Sequence, residues 1–304
     1  MKLKRISKEP ILEVNPDHDW EKGAVFNSGA VYEKGLYHML YRATDIGSHA
    51  SYGEYINTLG YAVSKDLKTW HRLEKPVLNN DVPQERRGPE DPRIVKIDDT
   101  FYMTYTGFGD RFPGDYRICL ATSKDLINWN RQGVLLDEEN KNSAFFPQKF
   151  GQEYLLLHRR KPNIWIASTK NMKDFYDHTK IMTTLPEHEW ESVRIGIAGP
   201  PVDHPQGWLL FYHAVDSKNR YRLGVALLDK ENPRKVLARH KKPVIEPELG
   251  WEKEGYVPDV IFSCATIERK SRYEVIYAGA DKAIGAAYID KKDLKFDDED
   301  WITE

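Results

Sequence analysis

The chain has little cysteine: Cys119 and Cys264 stand far apart among 304 residues and show no metal-ligand spacing. Neither a disulfide framework nor a thiolate metal site is therefore expected, and no His, Asp or Glu cluster suggests another metal. A surplus of charge is also missing, because 45 Lys and Arg against 47 Asp and Glu leave a formal −2. That balance argues against a general binder of nucleic acid or of an anionic membrane, so any anion site must be a local cluster. No run approaches the roughly 18 apolar residues of a membrane helix. The opening MKLKRISKEPILEV has basic residues but no apolar stretch of a secretory leader. A cytoplasmic setting is the expectation. Sustained helical periodicity with caps at both ends is absent throughout.

What the chain does have is a repeat. LGYAVSKDLKTW (59–70), ICLATSKDLINW (118–129), IWIASTKNMKDF (164–175), LGVALLDKENP (223–233) and IGAAYIDKKDL (284–294) share an alanine, at 62, 121, 167, 226 and 287. Each copy follows a segment ending on an aromatic ring: YHMLYRA, FYMTYTG, YLLLHRR, WLLFYHA and YEVIYAG. Before those come SGAVYE, PRIVKID, FFPQKF, GPPVDH and DVIFSCATI. These short segments are rich in Val, Ile, Tyr and Phe and are bounded by turn formers, so they read as strands. Three or four strands per unit, repeated five times, predict an all-β fold, a five-bladed β-propeller formed as one domain over 1–304. The fragment KEPILEVNPDHDWEKG (8–23) resembles KKPVIEPELGWEKEG (241–255). It is expected to join the last blade beside the C-terminal residues and so fasten the ring without raw strand edges.

Reading the repeats in phase gives two rows of polar residues at one mouth of the channel. The first row, at the start of the inner strands, holds Asn27, Ser28, Glu90, Asp91, Lys141, Asn142, Arg194 and Asp259. The second, at the end of the following strands, holds Arg42, Thr106, His158, Arg159, His213 and Asp281. Any single member can be a turn former satisfying local amides. The joint set is different, because it gathers an acid, several cations and hydrogen-bonding groups at one pore. Asp91 sits between two prolines in GPEDPRI, which stiffen the backbone around a carboxyl; Glu90 beside it is the alternative acid. Tryptophans such as Trp70 and Trp129 read as packing groups.

Cleaving a glycosidic bond needs a proton for the leaving oxygen and an attacker at the anomeric carbon. Glycosidases usually divide these roles between two carboxylates. A phosphate attacker brings its own charge, and its site must instead supply cations and amides. One acid facing a basic cluster is therefore the expected signature of phosphorolysis.

The residues resemble those of glycoside hydrolase family 130, the β-mannoside phosphorylases and their hydrolytic relatives. The resemblance rests on FNSGA (26–30), YRA (41–43), PEDPRI (89–94), NKN and FFPQK within 140–149, LHR (157–159), IGIAGPP (195–201), GWLLFYHAV (207–215), YRLGVALLD (221–229) and YAGAD (277–281). It implies a five-bladed propeller with Asp91 as the catalytic acid, protonating the glycosidic oxygen through the mannosyl 3-hydroxyl with inversion. It further implies phosphate binding by Lys141, Asn142, Arg159, Arg194 and His213. Sugar binding would fall to Asn27, Ser28, Arg42, Glu90, Tyr221 and Asp281.

No cofactor is implied beyond inorganic phosphate as co-substrate, and the partners are a mannoside oligosaccharide and phosphate. A homo-oligomer is compatible with the sequence. Arg194 stands where many members carry lysine, Lys141 where arginine is expected, and Glu90 where some carry tyrosine, which bears on acceptor preference. The short N-terminus resembles the β-1,2-mannobiose and β-1,2-oligomannan branch. The alternatives are β-1,4-mannosyl-glucose or β-1,4-mannosyl-N-acetylglucosamine phosphorylase, a β-mannoside hydrolase on the same fold, a glycosidase of another five-bladed clan, and a non-catalytic propeller.

Overall fold

A computed structural model describes residues 1–46, 54–296 and 299–303. Its strands fall into five antiparallel sheets. The first sheet runs from inner to outer edge as Ala24–Glu33, Leu36–Thr44, Asn57–Ser64 and Trp70–Arg72. The second and third repeat this order with Gly88–Ile97, Thr100–Phe108, Tyr116–Ser123 and Asn130–Leu136, then Ala144–Phe150, Glu153–Arg160, Asn163–Thr169 and Tyr176–Met182. Neighbouring sheets pack on one another around the ring, and the fifth packs on the first. The fold is the five-bladed β-propeller that the repeat predicts. Among the described residues no helix is long and apolar enough to cross a membrane.

The fourth and fifth blades depart from the sequence reading. GPPVDH was expected as one inner strand, but two short strands, Arg194–Ile197 and Val202–His204, share that role. Both pair with Gly207–Val215. Consecutive prolines at 200 and 201 separate them, and proline cannot donate to a ladder. At the outer edge of the fifth blade (Ile261–Glu268, Arg272–Gly279 and Ala283–Asp290), Leu12 of the 8–23 fragment bridges Ile284, so that fragment joins the sheet as expected. The strand that closes the sheet is the earlier Lys4–Arg5, paired with Tyr288 and Ala287. The C-terminal residues do not lie beside it. Trp301–Thr303 instead extends the fourth blade by pairing with Val236–His240. A three-residue strand is too short for its sequence to announce a partner.

The recurrent aromatic strand end has a physical cause. Tyr41 donates to the buried Glu21, which also accepts from Arg72 of the outermost strand. Tyr105, Glu85 and Arg131 repeat the arrangement in the second blade, as do Tyr212, Glu191 and Arg239 in the fourth. In the fifth blade Tyr277 and Glu252 are completed by Arg5, at 2.7 and 2.8 Å from the two carboxylate oxygens. Each glutamate precedes an inner strand, so one clamp ties the incoming loop, the second strand and the outer strand together. A buried carboxylate needs such partners, because an unpaired one would cost several kcal/mol. Trp20, Trp190 and Trp251 lie over the same tyrosines, with ring centroids 6.1, 6.0 and 5.7 Å apart. In the first, second and fourth blades the residue after the clamp tyrosine is Arg42, Thr106 or His213, a member of the polar row at the mouth.

Candidate active site

The inner strands reach the mouth with kinked ends. Asn27, Asp91 and Asn142 have φ of +45°, +52° and +64°, a region that Asn and Asp enter more readily than other side chains. In the first two blades the kink is a bulge, lying between Phe26 and Gly29 and between Glu90 and Arg93. A bulge re-aims the side chains it carries. Here it turns Asn27 and Asp91 toward each other, with Asn27 Nδ2 2.9 Å from Asp91 Oδ1.

Arg42 organises the acidic side. Its guanidinium donates to Asp91 Oδ1 at 3.2 Å, Glu90 Oε1 at 2.8 Å and Asn57 Oδ1 at 2.7 Å. It also lies over the Phe26 ring, 4.4 Å from the centroid. Lys141 Nζ is 2.7 Å from Glu90 Oε2. Glu90 is thus held by two cations, whereas Asp91 keeps one carboxylate oxygen without a protein hydrogen bond among the described residues. That arrangement favours Asp91 over Glu90 as the reacting acid. Burial pushes the Asp91 carboxyl up, but Arg42, Lys141 and Arg93 outweigh it and hold the group below the usual carboxylate range. Asp281 behaves in the opposite way. Burial pushes it up to about 7, against the pull of Arg42 and with Asp91 and Glu90 adding to the rise.

Asn27, Arg42, Asp91, Lys141 and Asp281 line a cavity of about 390 Å³ together with Asn142, Arg159 and Tyr221. Glu90, expected to bind sugar, is fully buried and does not line it. A second cavity of about 310 Å³ shares Lys141, Arg159 and Tyr221 with the first and adds Arg194, Asn140 and Lys161. The Arg159 guanidinium is buried, yet makes no hydrogen bond or ion pair to protein among the described residues. Burial, with Arg194 and Arg93 nearby, pulls it down to about 10, so it remains a cation at neutral pH. Arg194 stacks over the Tyr221 ring at 5.2 Å and donates to the Tyr221 hydroxyl and to Asn219 Oδ1, with no carboxylate partner among the described residues. Two arginines without counter-ions, meeting at one cavity wall, form an anion receptor.

The remaining expected residues lie just behind the walls. The His213 ring is fully buried against Phe262, at 4.7 Å, and neither nitrogen has a hydrogen-bond partner among the described residues. Burial and the cations Arg159, Arg93 and Arg194 keep it neutral. Ser28 Oγ, Asn27 Oδ1 and Asn142 Oδ1 are also buried without partners among the described residues. Such orphaned groups cost free energy unless a ligand or water meets them.

Sequence reasoning overlooked Arg93. Its guanidinium reaches across the channel to Ala198 O at 2.5 Å and Ile197 O at 3.2 Å, and back to Asp91 O at 2.9 Å. It pins the backbone that carries Asp91, and nothing separates it from an ordinary strand arginine in sequence. Tyr55, Tyr256, Val260 and Phe262 complete the sugar-sized cavity and were equally silent. Asp259 contributes its carbonyl to the Tyr221 N–H but does not line either cavity.

The fold and site together define a propeller enzyme of the carbohydrate-active kind, with a carboxylate-bearing cavity opening onto an anion receptor. The family model described as β-1,4-mannooligosaccharide phosphorylase matches residues 2–298. The chain belongs to that family, glycoside hydrolase family 130. A 1,2-β-oligomannan phosphorylase of Thermoanaerobacter sp. (strain X514) is 57% identical over 296 residues, spanning 97% of this chain and 100% of the relative. A β-1,2-mannobiose phosphorylase of the same strain is 48% identical, spanning 97% and 99%. The solved structure of β-1,2-mannobiose phosphorylase from Listeria innocua, in complex with β-1,2-mannobiose, superposes with a TM-score of 0.87 at 26% identity, over 96% of this chain and 98% of that one.

Proposed function

We propose that the chain cleaves β-1,2-mannobiose or a β-1,2-oligomannan by phosphorolysis, releasing α-D-mannose 1-phosphate with inversion. The observation that carries this reading is the pair of arginines, Arg159 and Arg194, that have no counter-ion among the described residues and line one cavity, Arg159 also lining the Asp91 cavity. Relatives named for β-1,2-linked substrates at 57% and 48% identity support the linkage. Phosphate held by Arg159 and Arg194 presents an oxygen to the anomeric carbon. As that bond forms, the glycosidic C–O bond breaks, and the leaving oxygen takes a proton relayed through the mannosyl 3-hydroxyl from Asp91. That carboxyl is ionised in the free protein and takes up the proton when anionic phosphate offsets its neighbouring cations. Asn27 and Arg42 fix the carboxyl for this transfer, and Arg93 fixes its backbone. The balanced reaction requires no cofactor besides phosphate.

The test is turnover of β-1,2-mannobiose with and without phosphate, assayed for mannose 1-phosphate. Equal rates of mannose release in phosphate-free buffer would instead identify a hydrolase. Asp91→Asn should lower kcat by about 10²–10⁴, the usual contribution of a general acid, while the folded structure persists. Wild-type turnover in that variant would move the acid elsewhere.

A further inference from the structure

The third blade lacks the tyrosine clamp of the other four. At the tyrosine position it carries His158, and the outer-strand arginine gives way to His178, in the irregular register opposite Ala167. Glu138 occupies the place of the buried glutamate but pairs with Arg160 at 3.1 Å. The gap is bridged by Asn140. Its Nδ2 lies 3.2 Å from His158 Nδ1 and 3.0 Å from Glu138 Oε1, and its Oδ1 accepts the Arg159 backbone N–H at 3.3 Å. His158 Nε2 is 3.1 Å from His178 Nδ1.

The hydrogen-bond directions follow from these contacts. An amide nitrogen facing His158 Nδ1 makes that nitrogen an acceptor, so Nε2 carries the proton and donates to His178. Burial, with His178 and Arg160 adding to it, pulls the His158 ring down to about 3, so it remains neutral. The four tyrosine clamps are built on a buried carboxylate and a cation. In the third blade the ring and amide at the centre are neutral, and the Glu138–Arg160 pair sits beside them.

Its placement gives this substitution a consequence. Asn140 adjoins Lys141 and Asn142 in sequence, and His158 adjoins Arg159. One amide therefore fixes the loop and the strand end that together supply much of the anion receptor. We propose that His158, acting through Asn140 and braced by His178, is a positioning residue for the phosphate-binding edge formed by Arg159 and the 140–142 loop. This inference rests on the phosphorylase reading above.

The test compares His158→Phe with Tyr105→Phe, which breaks the equivalent clamp in the second blade. Tyr105 precedes Thr106, which lines neither cavity. Steady-state KM for phosphate and for β-1,2-mannobiose would be measured alongside thermal denaturation. Both variants should lose stability. Only His158→Phe should raise the phosphate KM, by about tenfold, the scale of one hydrogen bond that orders a charged group. Its mannobiose KM should stay within about twofold, the spread expected for a group outside the sugar cavity. His178→Ala, at the accessible end of the chain, should reproduce the effect more weakly and covers the case in which His158→Phe does not fold.

An unchanged phosphate KM in both histidine variants would overturn the proposal. So would an equal rise in Tyr105→Phe, or a parallel rise in mannobiose KM. A wild-type enzyme indifferent to phosphate would instead overturn the phosphorylase reading, which keeps the two failures apart.

Discussion

Replacing Asp281 by Asn should stabilise the protein at alkaline pH and not at acid pH. The carboxyl titrates near 7 in the folded chain against 3.8 for an ordinary aspartate. Below 3.8 both folded and unfolded chains hold the proton, and the raised pKa costs nothing. As pH rises from there, the unfolded chain releases the proton first, so stability falls until the folded group also ionises near 7 and the loss levels off. The two titrations are separated by about three pH units, and at about 1.36 kcal/mol per pH unit the ceiling is about 4 kcal/mol. About two-thirds of that interval lies above pH 5, and the group faces a cavity that water can enter, so about 2–3 kcal/mol should be lost between pH 5 and 8.5. Asn mimics the neutral acid and escapes this loss. For a chain of 304 residues the advantage of Asp281→Asn should widen by about 3–5 °C in Tm over that range. Thermal denaturation in phosphate-free buffers at both pH values tests this. A gap between variant and wild type that is the same at pH 5 and 8.5 would refute the placement of Asp281 in a field dominated by burial, Asp91 and Glu90.

Arg159→Ala should raise the phosphate KM by roughly 10- to 150-fold, matching about 1.5–3 kcal/mol for hydrogen bonds to a charged group. Mannobiose binding measured by calorimetry without phosphate should change far less. Arg5→Ala leaves Glu252 with Tyr277 but no cation, and should cost about 3 kcal/mol, the scale for breaking a buried pair, or about 5 °C in Tm. A shift below one degree would show that the fifth blade does not depend on this closure. Anion binding beside Arg159 should offset the cations that depress Asp91, so the cavity carboxylates should take up a proton. Titration calorimetry with sulfate, which stays dianionic, should then give heats that vary with the ionisation enthalpy of the buffer. Identical heats in all buffers would exclude the coupling.

The repeat made the architecture legible because each blade must place a small residue, an aromatic end and a turn at the same phase. The site was legible for a related reason. Residues such as Arg42, Arg159 and His213 vary at a position where the neighbouring aromatic recurs, and the structure brings Asn27, Arg42, Asp91, Lys141, Asn142, Arg159, Tyr221 and Asp281 to one cavity. Ser28 and His213 lie beneath its wall instead. What sequence did not disclose depends on distant packing. Glu21 and Glu252 sit in segments rich in charge, and only the incoming tyrosine and arginine make them interior groups. Arg93 resembles any strand arginine until its partners across the channel are known. The split inner strand of the fourth blade followed from its prolines, which the repeat alignment had overridden.

The contact between Arg5 and Glu252 joins residues 247 positions apart. During synthesis the arginine therefore leaves the ribosome long before its partner exists, and must wait in a chain whose fifth sheet is unmade. Trp301–Thr303 imposes a second delay, since the fourth sheet gains its outer edge only when that late segment arrives. Early blades can settle as they emerge, but the ring gains its final rigidity only once residues 301–303 have been made. A bulky group attached next to Lys4 would burden the fifth sheet, and one attached next to Thr303 the fourth.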